Sequence, residues 1–372
     1  MAKSQNKATT KADVEAVLAE FEGKEAVLEA FCTKTKTLIE ASLQDAAIRY
    51  QSVQTRVKSK EKLREKYLDP AKNYKRLDDI TDLAALRVIT YYEDDVDRVA
   101  EVVAREFDID AKNSVDKRVT EPDRFGYSGL NFVGKHLARR LADVEYRKFD
   151  GVRCEIQITS ILRHAWSEIE HEWYDLKRVY PKKVKRRFYR IAALLELAES
   201  EFLDIKKKRT DYERSVAVRV EAEVPDLSLD AVSLRSFIQQ NQIVEQLDKS
   251  IADLLRLKLV EGELSSSSLE LRAKAAKIAG FNQVEDVRVS IETYRDEIVE
   301  YVERSSEFWV IGRNASLGKG FCVLVLAMML AAARGETQAA EAMTALSLSI
   351  AFNVNVPAQV SLAQELLGIP SA

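Results

Sequence analysis

The sequence predicts an α+β protein in which a small mixed β-sheet flanked by helices precedes an all-helical C-terminal domain. The chain has 372 residues, well above the roughly 150 of a typical single domain, so two domains are expected. It contains only 12 Gly and 6 Pro, a shortage of turn-forming residues that favours long helices over an all-β fold. Short β-branched runs occur between Asp82 and about Gln157, which confines the predicted sheet to that region.

The spacing of apolar residues predicts the elements of the N-terminal half. From Lys11 to about Gln54 these residues recur at the helical period, which predicts a helical lead-in, assigned to residues 1–50. The runs LAALRVITYY, YSGLNFVG and VRCEIQIT then predict strands, with helical stretches such as DDVDRVAEVVAREF between them. We assign residues 51–223, including the helices that follow Ser160, to the sheet-containing domain.

The C-terminal region is predicted to be helical and is assigned to residues 231–372, a domain of unknown role. The segment Val224–Asp230, VPDLSLD, contains the only proline between Pro181 and Pro357 and is the predicted linker. The apolar run Phe321–Ala333 is shorter than the roughly 20 residues needed to span a bilayer, so we predict a buried helix. Helical patterns cover Leu234–Leu259, Leu269–Ala279 with Gly280 as C-cap, Val287–Val302, and Phe321–Leu346 with a break at Gly335.

Charge and cysteine content exclude several classes of protein. The 57 Lys and Arg nearly balance the 60 Asp and Glu, so any nucleic-acid binding must come from a local basic patch. The three cysteines, Cys32, Cys154 and Cys322, are far apart and predict neither a disulfide framework nor a zinc site. Because the N-terminus also lacks the apolar segment of a signal peptide, we expect a cytoplasmic protein without a membrane anchor.

Two common kinds of active site are not supported by the sequence. His164 and His171 are two helical turns apart, but no third ligand lies nearby, and the three histidines are too few for a metal-dependent HD-type hydrolase. The string Gly312–Gly320, GRNASLGKG, has the wrong glycine spacing for a Walker phosphate loop. A nucleotide would therefore be held by side chains.

A run of cations, RVKSKEKLREK, provides such side chains. In an extended strand Arg56 and Lys58 point the same way, and Ser59 can cap a helix whose first turns carry Lys62 and Lys66. Cations beside a helix N-terminus suit a polyphosphate. The alternative is a solvated charged face.

Two acids and one arginine lie in or beside the predicted strands. In CEIQITS, Cys154, Ile156 and Ile158 alternate with polar residues, so Glu155 points into a polar space. Asp82 precedes an apolar strand, where a carboxylate needs a metal or a cation, and Arg87 within that strand needs an anion. Two carboxylates near a basic cradle suit Mg²⁺-assisted phosphoryl or pyrophosphoryl transfer. The alternative is that Asp82 caps a helix and Glu155 pairs with a lysine.

The order of these motifs resembles the synthetase domain of the RelA/SpoT family, the alarmone synthetases, over roughly Ser52 to Lys177. The motifs are RVKS, DITDLAALRVI, FGYSGLNFV and CEIQITSILRHAWSEIEHEWYDLK. The resemblance implies a nucleotidyltransferase-like core in a stand-alone, synthetase-only protein with a helical C-terminal extension. In FGYSGLNFV, Gly126 and Gly129 flank Tyr127, whose ring suits stacking on a base.

The resemblance also implies roles for individual residues. Asp82 and Glu155 would be the catalytic carboxylates and would hold Mg²⁺. Glu155 would also lie close to the attacking 3′-hydroxyl and act as its base. The ATP-binding residues would be Arg56, Lys58, Lys62, Lys66 and Arg87, and the acceptor-binding residues would be Tyr127, Asn131, Gln157 and His164.

The implied reaction is transfer of the β,γ-pyrophosphate of ATP to the 3′-hydroxyl of GDP or GTP, which makes the alarmone (p)ppGpp of the stringent response. The family often has His where this chain has Asn131, and Arg where it has Thr159. One alternative is a toxin-type member that modifies the 3′ end of tRNA, bound through the basic segment Lys177–Arg190. Another is a catalytically silent nucleotide sensor. The C-terminal domain could regulate the site, neutralise a toxic activity or form a homo-oligomer.

Overall fold

A computed structural model describes residues 11–69, 72, 74–118, 129–172, 181–260, 262, 264–305, 316–346 and 356–370. The chain forms two compact units, Met1–Lys206 and Lys207–Ala372. The division falls within one long helix, and the three domains assigned from the sequence stay a prediction. Among the described residues, no helix is long and apolar enough to cross a membrane.

The first unit contains a six-stranded sheet, with helices before, between and after its strands in the sequence. Two short 3-10 helices, Leu77–Asp79 and Arg147–Phe149, complete the loops. The strands are β1 Tyr50–Val57, β2 Ala84–Thr90, β3 Phe107–Ile109, β4 Val115–Asp116, β5 Leu130–His136 and β6 Cys154–Ser160. The helices are α1 Lys11–Asp45, α2 Lys60–Tyr67, α3 Asp94–Glu106, α4 Ala138–Leu141, α5 Ile161–Glu172 and α6 Lys182–Glu221, the last of which continues into the second unit.

The sheet is mixed, as the sequence predicts. Its order is β1-β2-β6-β5-β3, with β4 also paired to β5, and β2 and β6 run parallel while the other pairs are antiparallel. One face packs against α1 and α3 to form the core, which contains Leu86, Ile156 and Phe21. Polar residues of β1, β2, β5 and β6 therefore gather on the opposite face.

The helical lead-in is shorter than predicted. The helix ends at Asp45, and Ala47 has a positive φ of 51°, a left-handed conformation that terminates the helix. Tyr50–Val57 then forms β1, in which Val53 is buried and its neighbours are exposed or half-buried. Since Phe21 and Phe31 of α1 belong to the same core as the sheet, this helix is part of the first unit.

His136, at the end of β5, is a buried core histidine. Its ring packs against Phe31, Phe107, Tyr146 and Phe149, and its Nε2 atom lies 3.1 Å from the Thr35 hydroxyl. Burial lowers the pKa of His136 from 6.5 to about 4, and the charge of Arg140 acts in the same direction. The imidazole is therefore neutral in the folded protein.

His136 should make the fold less stable in acid. In the unfolded chain this histidine binds a proton at the ordinary pKa of 6.5, but in the folded chain it does so only near pH 4. The free energy of unfolding therefore decreases as the pH is lowered from about 6.5 to about 4. We expect unfolding free energy in urea to be lower at pH 5 than at pH 7, with about 2 kcal/mol of the difference due to this ring. His136→Phe should remove that part, and an unchanged pH dependence in this variant would contradict the prediction.

The described residues of the second unit form helices and one small sheet. Its core surrounds the helix Phe321–Ala333, which is buried along nearly its whole length, as predicted. The segment proposed as a linker contributes Leu227 and Leu229 to this core. The helices are α7 Ala231–Gln240, α8 Gln242–Leu255, α9 Ser266–Ile278, α10 Val284–Thr293, α11 Arg295–Arg304, α12 Phe321–Ala333, α13 Glu336–Leu346 and α14 Val356–Leu366.

Three details of this unit were not predicted. Two predicted helices are each broken once, at Asn241, which caps α8, and at Tyr294, between α10 and α11. The short strands β7 Lys258–Val260 and β8 Ser316–Gly318 pair in parallel, so the unit is mostly rather than wholly helical. The expected breaks after α9 and α12 are confirmed, because Gly280 and Gly335 both have positive φ.

Candidate active site

Polar side chains from four strands of the first unit lie on one face of the sheet. In register, Arg56 of β1 lies opposite Ala85 of β2, which lies opposite Glu155 of β6. The next row on the same face contains Gln54, Arg87, Gln157 and Asn131. The period-two alternation predicted for CEIQITS is confirmed, because Cys154, Ile156 and Ile158 are fully buried on the other face.

Asp82 forms an ion-pair triad just before β2. Its Oδ2 atom lies 2.9 Å from Lys58 Nζ and 2.8 Å from Lys66 Nζ. Only 7% of the Lys58 side chain and 13% of the Asp82 side chain are exposed, so these charges are largely removed from water. The expectation that Asp82 must meet a cation or a metal is met by two lysines.

The second oxygen of Asp82 is different. Oδ1 is buried and has no hydrogen-bond partner among the described residues. Burial raises the pKa of the Asp82 carboxyl, but hydrogen bonds from Lys66 and Lys58 and their charges outweigh it, so the pKa lies below 3.8. Asp82 is thus an ionised carboxylate with one oxygen available to a further ligand.

The basic cradle has the predicted local structure. Arg56 lies one residue before the end of β1, and Ser59 caps α2 by accepting a hydrogen bond from the Lys62 backbone at 3.4 Å. Arg56 and Lys62 are exposed and, within the part of the chain that the structure describes, form no ion pair. These two cations can bind an anion without first losing a carboxylate partner.

Glu155 is held by two amide side chains. Its Oε1 atom accepts a hydrogen bond from Asn131 Nδ2 at 2.7 Å and a longer one from Gln157 Nε2 at 3.4 Å. The carboxylate is half-buried. In the described structure its Oε2 atom accepts no hydrogen bond from protein. This oxygen is therefore left without a protein partner on the polar side of the sheet.

Arg87 connects the sheet to α5. Its Nε donates to Gln157 Oε1 at 3.1 Å, and its NH1 lies 3.1 Å from His164 Nδ1. The same NH1 pairs with Glu168, one turn further along α5. Burial lowers the pKa of His164, and the Arg87 charge adds to this effect, so the imidazole is suited to accept from the guanidinium.

A cleft of about 290 Å³ opens on this face. Sequence reasoning named three residues of its lining, Arg56, Arg87 and Gln157, and missed others, including Gln54 and Glu168. Gln54 could have been found because it precedes Arg56 by two residues in a strand, and Glu168 because it follows His164 by four in a helix. The lining consists of Gln54, Thr55, Arg56, Ala85, Leu86, Arg87, Gln157 and Glu168.

Some predicted site residues lie outside the described residues. Tyr127 and Gly126 are among them, as are the first four residues of the basic segment Lys177–Arg190. Gly129 is described, and a Cβ atom there would lie 2.5 Å from the Ile158 carbonyl oxygen, so only glycine allows this close approach to β6.

The donor set fits a magnesium ion shared with substrate. No group of three or more His, Cys, Asp or Glu side chains able to hold a metal exists in the described part of the chain. Mg²⁺, however, is commonly bound by one or two carboxylates together with substrate phosphates. The orphaned Oδ1 of Asp82 and the free Oε2 of Glu155 are oxygen ligands of the required kind.

The glycine-rich string of the second unit, Gly312–Gly320, is described from residue 316 onward, and the expectation that it is not a phosphate loop stays a prediction. It precedes α12, but the N-terminal amides of this helix bind Asp248 of α8. Gly320 N donates to Asp248 Oδ2 at 2.6 Å and Cys322 N donates to Oδ1 at 2.8 Å. An internal carboxylate therefore occupies the position that an anion would take.

The chain is similar to known proteins over the same region. A family model described as a region found in RelA/SpoT proteins matches residues 55–178. The GTP pyrophosphokinase YwaC of Bacillus subtilis (strain 168) is 27% identical over 130 residues, which are 35% of this chain and 59% of that relative. The chain thus matches less than two thirds of the length of this curated relative.

Solved structures are also similar. The small alarmone synthetase 1 from Bacillus subtilis is 20% identical, with 52% of this chain and 98% of that chain covered and a TM-score of 0.44. The small alarmone synthetase 2 from the same organism is 25% identical, with 51% and 97% covered and a TM-score of 0.40.

Residues 55–178, which match the region found in RelA/SpoT proteins, include β2 to β6 of the sheet, Asp82 and Glu155. The match lies in the place that the order of the motifs predicts.

Proposed function

We propose that the chain is a Mg²⁺-dependent cytoplasmic pyrophosphokinase that transfers the β,γ-pyrophosphate of ATP to the 3′-hydroxyl of GDP or GTP. The observation that carries the proposal is the presence of two carboxylates, Asp82 and Glu155, on or next to the strands that form a cleft whose lining includes Arg56 and Arg87. The RelA/SpoT match and a relative named as a GTP pyrophosphokinase support the reaction class.

The reaction forms a bond between the acceptor O3′ and the β-phosphorus of ATP. It breaks the bond between that phosphorus and the oxygen that bridges to the α-phosphate, so AMP is the leaving group. Arg56 and Lys62 neutralise the triphosphate, because neither is committed to a carboxylate in the described structure. Arg87 contributes a guanidinium held by Gln157 and Glu168. No covalent nucleophile is needed, since positioning and charge neutralisation lower the barrier to phosphoryl transfer.

Asp82 and Glu155 would hold Mg²⁺, whose charge stabilises the phosphate oxygens as the bridge breaks. Asp82 Oδ1 is available because both lysines bind Oδ2. Glu155 Oε2 has two lone pairs, so one would face the metal while the other takes the proton of the 3′-hydroxyl. Asn131 and Gln157 keep Oε1 occupied meanwhile. Tyr127, Gln157 and His164 are the acceptor-binding residues of this proposal.

The test is to incubate the full chain with γ-³²P-ATP, Mg²⁺ and, in parallel, GDP, GTP or deacylated tRNA. Glu155→Gln should abolish labelling, whereas the matched Glu145→Gln, at an exposed residue that pairs with Lys34, should retain it. Label on a guanine nucleotide is the expected result. Label on tRNA alone would identify a toxin-type enzyme, and no label on any acceptor would favour the silent sensor.

A further inference from the structure

Asn131 and Glu155 form the shortest polar contact made by the Glu155 carboxylate. We propose that Asn131 is a positioning residue that fixes this carboxylate, rather than a ligand of the acceptor nucleotide. The inference rests on the proposed function, because it concerns how Glu155 is presented to the reacting centre. It gives a role to Asn131, which stands where the family often has histidine.

The contact selects one carboxylate oxygen. Asn131 Nδ2 donates to Glu155 Oε1 at 2.7 Å, a distance typical of a strong hydrogen bond to a charged acceptor. With Oε1 bound in this way, the carboxylate cannot rotate freely about its last torsion. Oε2, which accepts no hydrogen bond within the described chain, is then directed toward the polar face.

Gln157 cannot replace Asn131 in this task. Its Oε1 accepts a hydrogen bond from Arg87 Nε at 3.1 Å, which orients its amide nitrogen toward Glu155. The resulting contact with Glu155 is 3.4 Å long and therefore weak. Asn131 is the principal donor that holds Glu155, and Gln157 links this pair to Arg87.

The strand register explains how a short side chain reaches the carboxylate. Asn131 lies directly opposite Gln157, and Glu155 lies opposite Val133, so Asn131 and Glu155 are diagonal neighbours on the same face. An amide donates at every pH, and an imidazole can also donate a ring N–H. A histidine introduced here should therefore preserve the contact, while an apolar residue should remove it.

The experiment measures kcat and KM for the acceptor in Asn131→Leu and Asn131→His of the full chain. Asn131→Leu should lower kcat by about 10- to 100-fold, the usual effect of losing a side chain that orients a reacting group, and leave acceptor KM within about threefold. Asn131→His should recover most of kcat. Asn113→Leu is the matched control, since it removes a 2.6 Å amide–carboxylate contact, to Asp110, outside the cleft.

A second readout does not depend on turnover. Mn²⁺ can be titrated into each variant together with a non-hydrolysable ATP analogue and its affinity measured by electron paramagnetic resonance. Because Glu155 would no longer be held, Asn131→Leu should weaken Mn²⁺ binding by about tenfold relative to Asn113→Leu. Thermal unfolding of each variant verifies that it is folded, and Asn131→His supplies the test if Asn131→Leu is not.

The outcomes separate this inference from the proposed function. A higher acceptor KM at unchanged kcat would assign Asn131 to the acceptor and overturn the inference, as would an Asn131→Leu variant equal to wild type in both readouts. A wild-type protein that labels no acceptor would instead refute the proposed function. In that case the Mn²⁺ titration alone decides whether Asn131 positions Glu155.

Discussion

Replacing Asp82 by Asn should reduce pyrophosphate transfer by roughly a thousandfold, equivalent to about 4 kcal/mol of transition-state stabilisation. Asparagine has nearly the same shape but carries no charge, so the site would lose the anion that would bind the metal through Oδ1. Lys58 and Lys66 would also lose the carboxylate that now binds both of them. The measurement is kcat with the best acceptor, over a range of Mg²⁺ concentrations.

A control distinguishes loss of chemistry from loss of fold. Asp78→Asn makes the same change four residues earlier, at an exposed side chain that pairs only with Lys24 and Arg76. It should retain near-normal activity, because exposed ion pairs contribute about 0–1 kcal/mol. If Asp82→Asn unfolds at a lower temperature but keeps its kcat, then Asp82 serves only to neutralise the two lysines.

The site was predictable in part from the alternation of apolar and polar residues. In CEIQITS this alternation assigns Glu155 to the polar face without any knowledge of neighbouring strands. The Ser59 cap of α2 was predicted from a different signal, a serine directly before a helix. The strand β2 shows no alternation, since all its residues except Arg87 are buried. Local sequence therefore indicated the face of Glu155 but not the environment of every strand residue, and the common direction of Arg56 and Lys58 stays a prediction.

The partners of those side chains were not predictable, because they depend on strand order. The Asn131–Glu155 contact requires β5 beside β6, and the Lys58–Asp82 pair requires β1 beside β2. The resemblance implies that Lys58 and Lys66 face ATP, which stays a prediction, and the structure shows that both bind Asp82. One sequence contains no signal for such long-range pairs.

In the C-terminal unit, too, an element was predictable from the sequence but its long-range partner was not. Its apolar helix α12 was predicted from composition alone. The residue that holds the start of this helix, Asp248, was not singled out, because an aspartate within an amphipathic helix normally faces water. In the structure this carboxylate is fully buried and accepts two backbone hydrogen bonds.

Replacing Asp248 by Ala should therefore destabilise the second unit by about 3–5 kcal/mol. The change would leave the N–H groups of Gly320 and Cys322 buried without acceptors, and would leave the buried Arg272 guanidinium without its nearby negative charge. Asp248→Asn should cost less, because its carbonyl can still accept from one of the two amides. Urea unfolding followed by far-ultraviolet circular dichroism measures the loss.

The matched control is Glu245→Ala, on the same helix one turn earlier, where the exposed carboxylate forms an ion pair with Lys249. Its effect should stay within about 0.5 kcal/mol, as is usual for surface positions. Hydrogen exchange localises the change, since the amides at the start of α12 should lose protection in Asp248→Ala while those of β2 in the first unit keep theirs. Equal protection of α12 in wild type and Asp248→Ala would mean that packing of its apolar side chains, not the buried carboxylate, secures this helix.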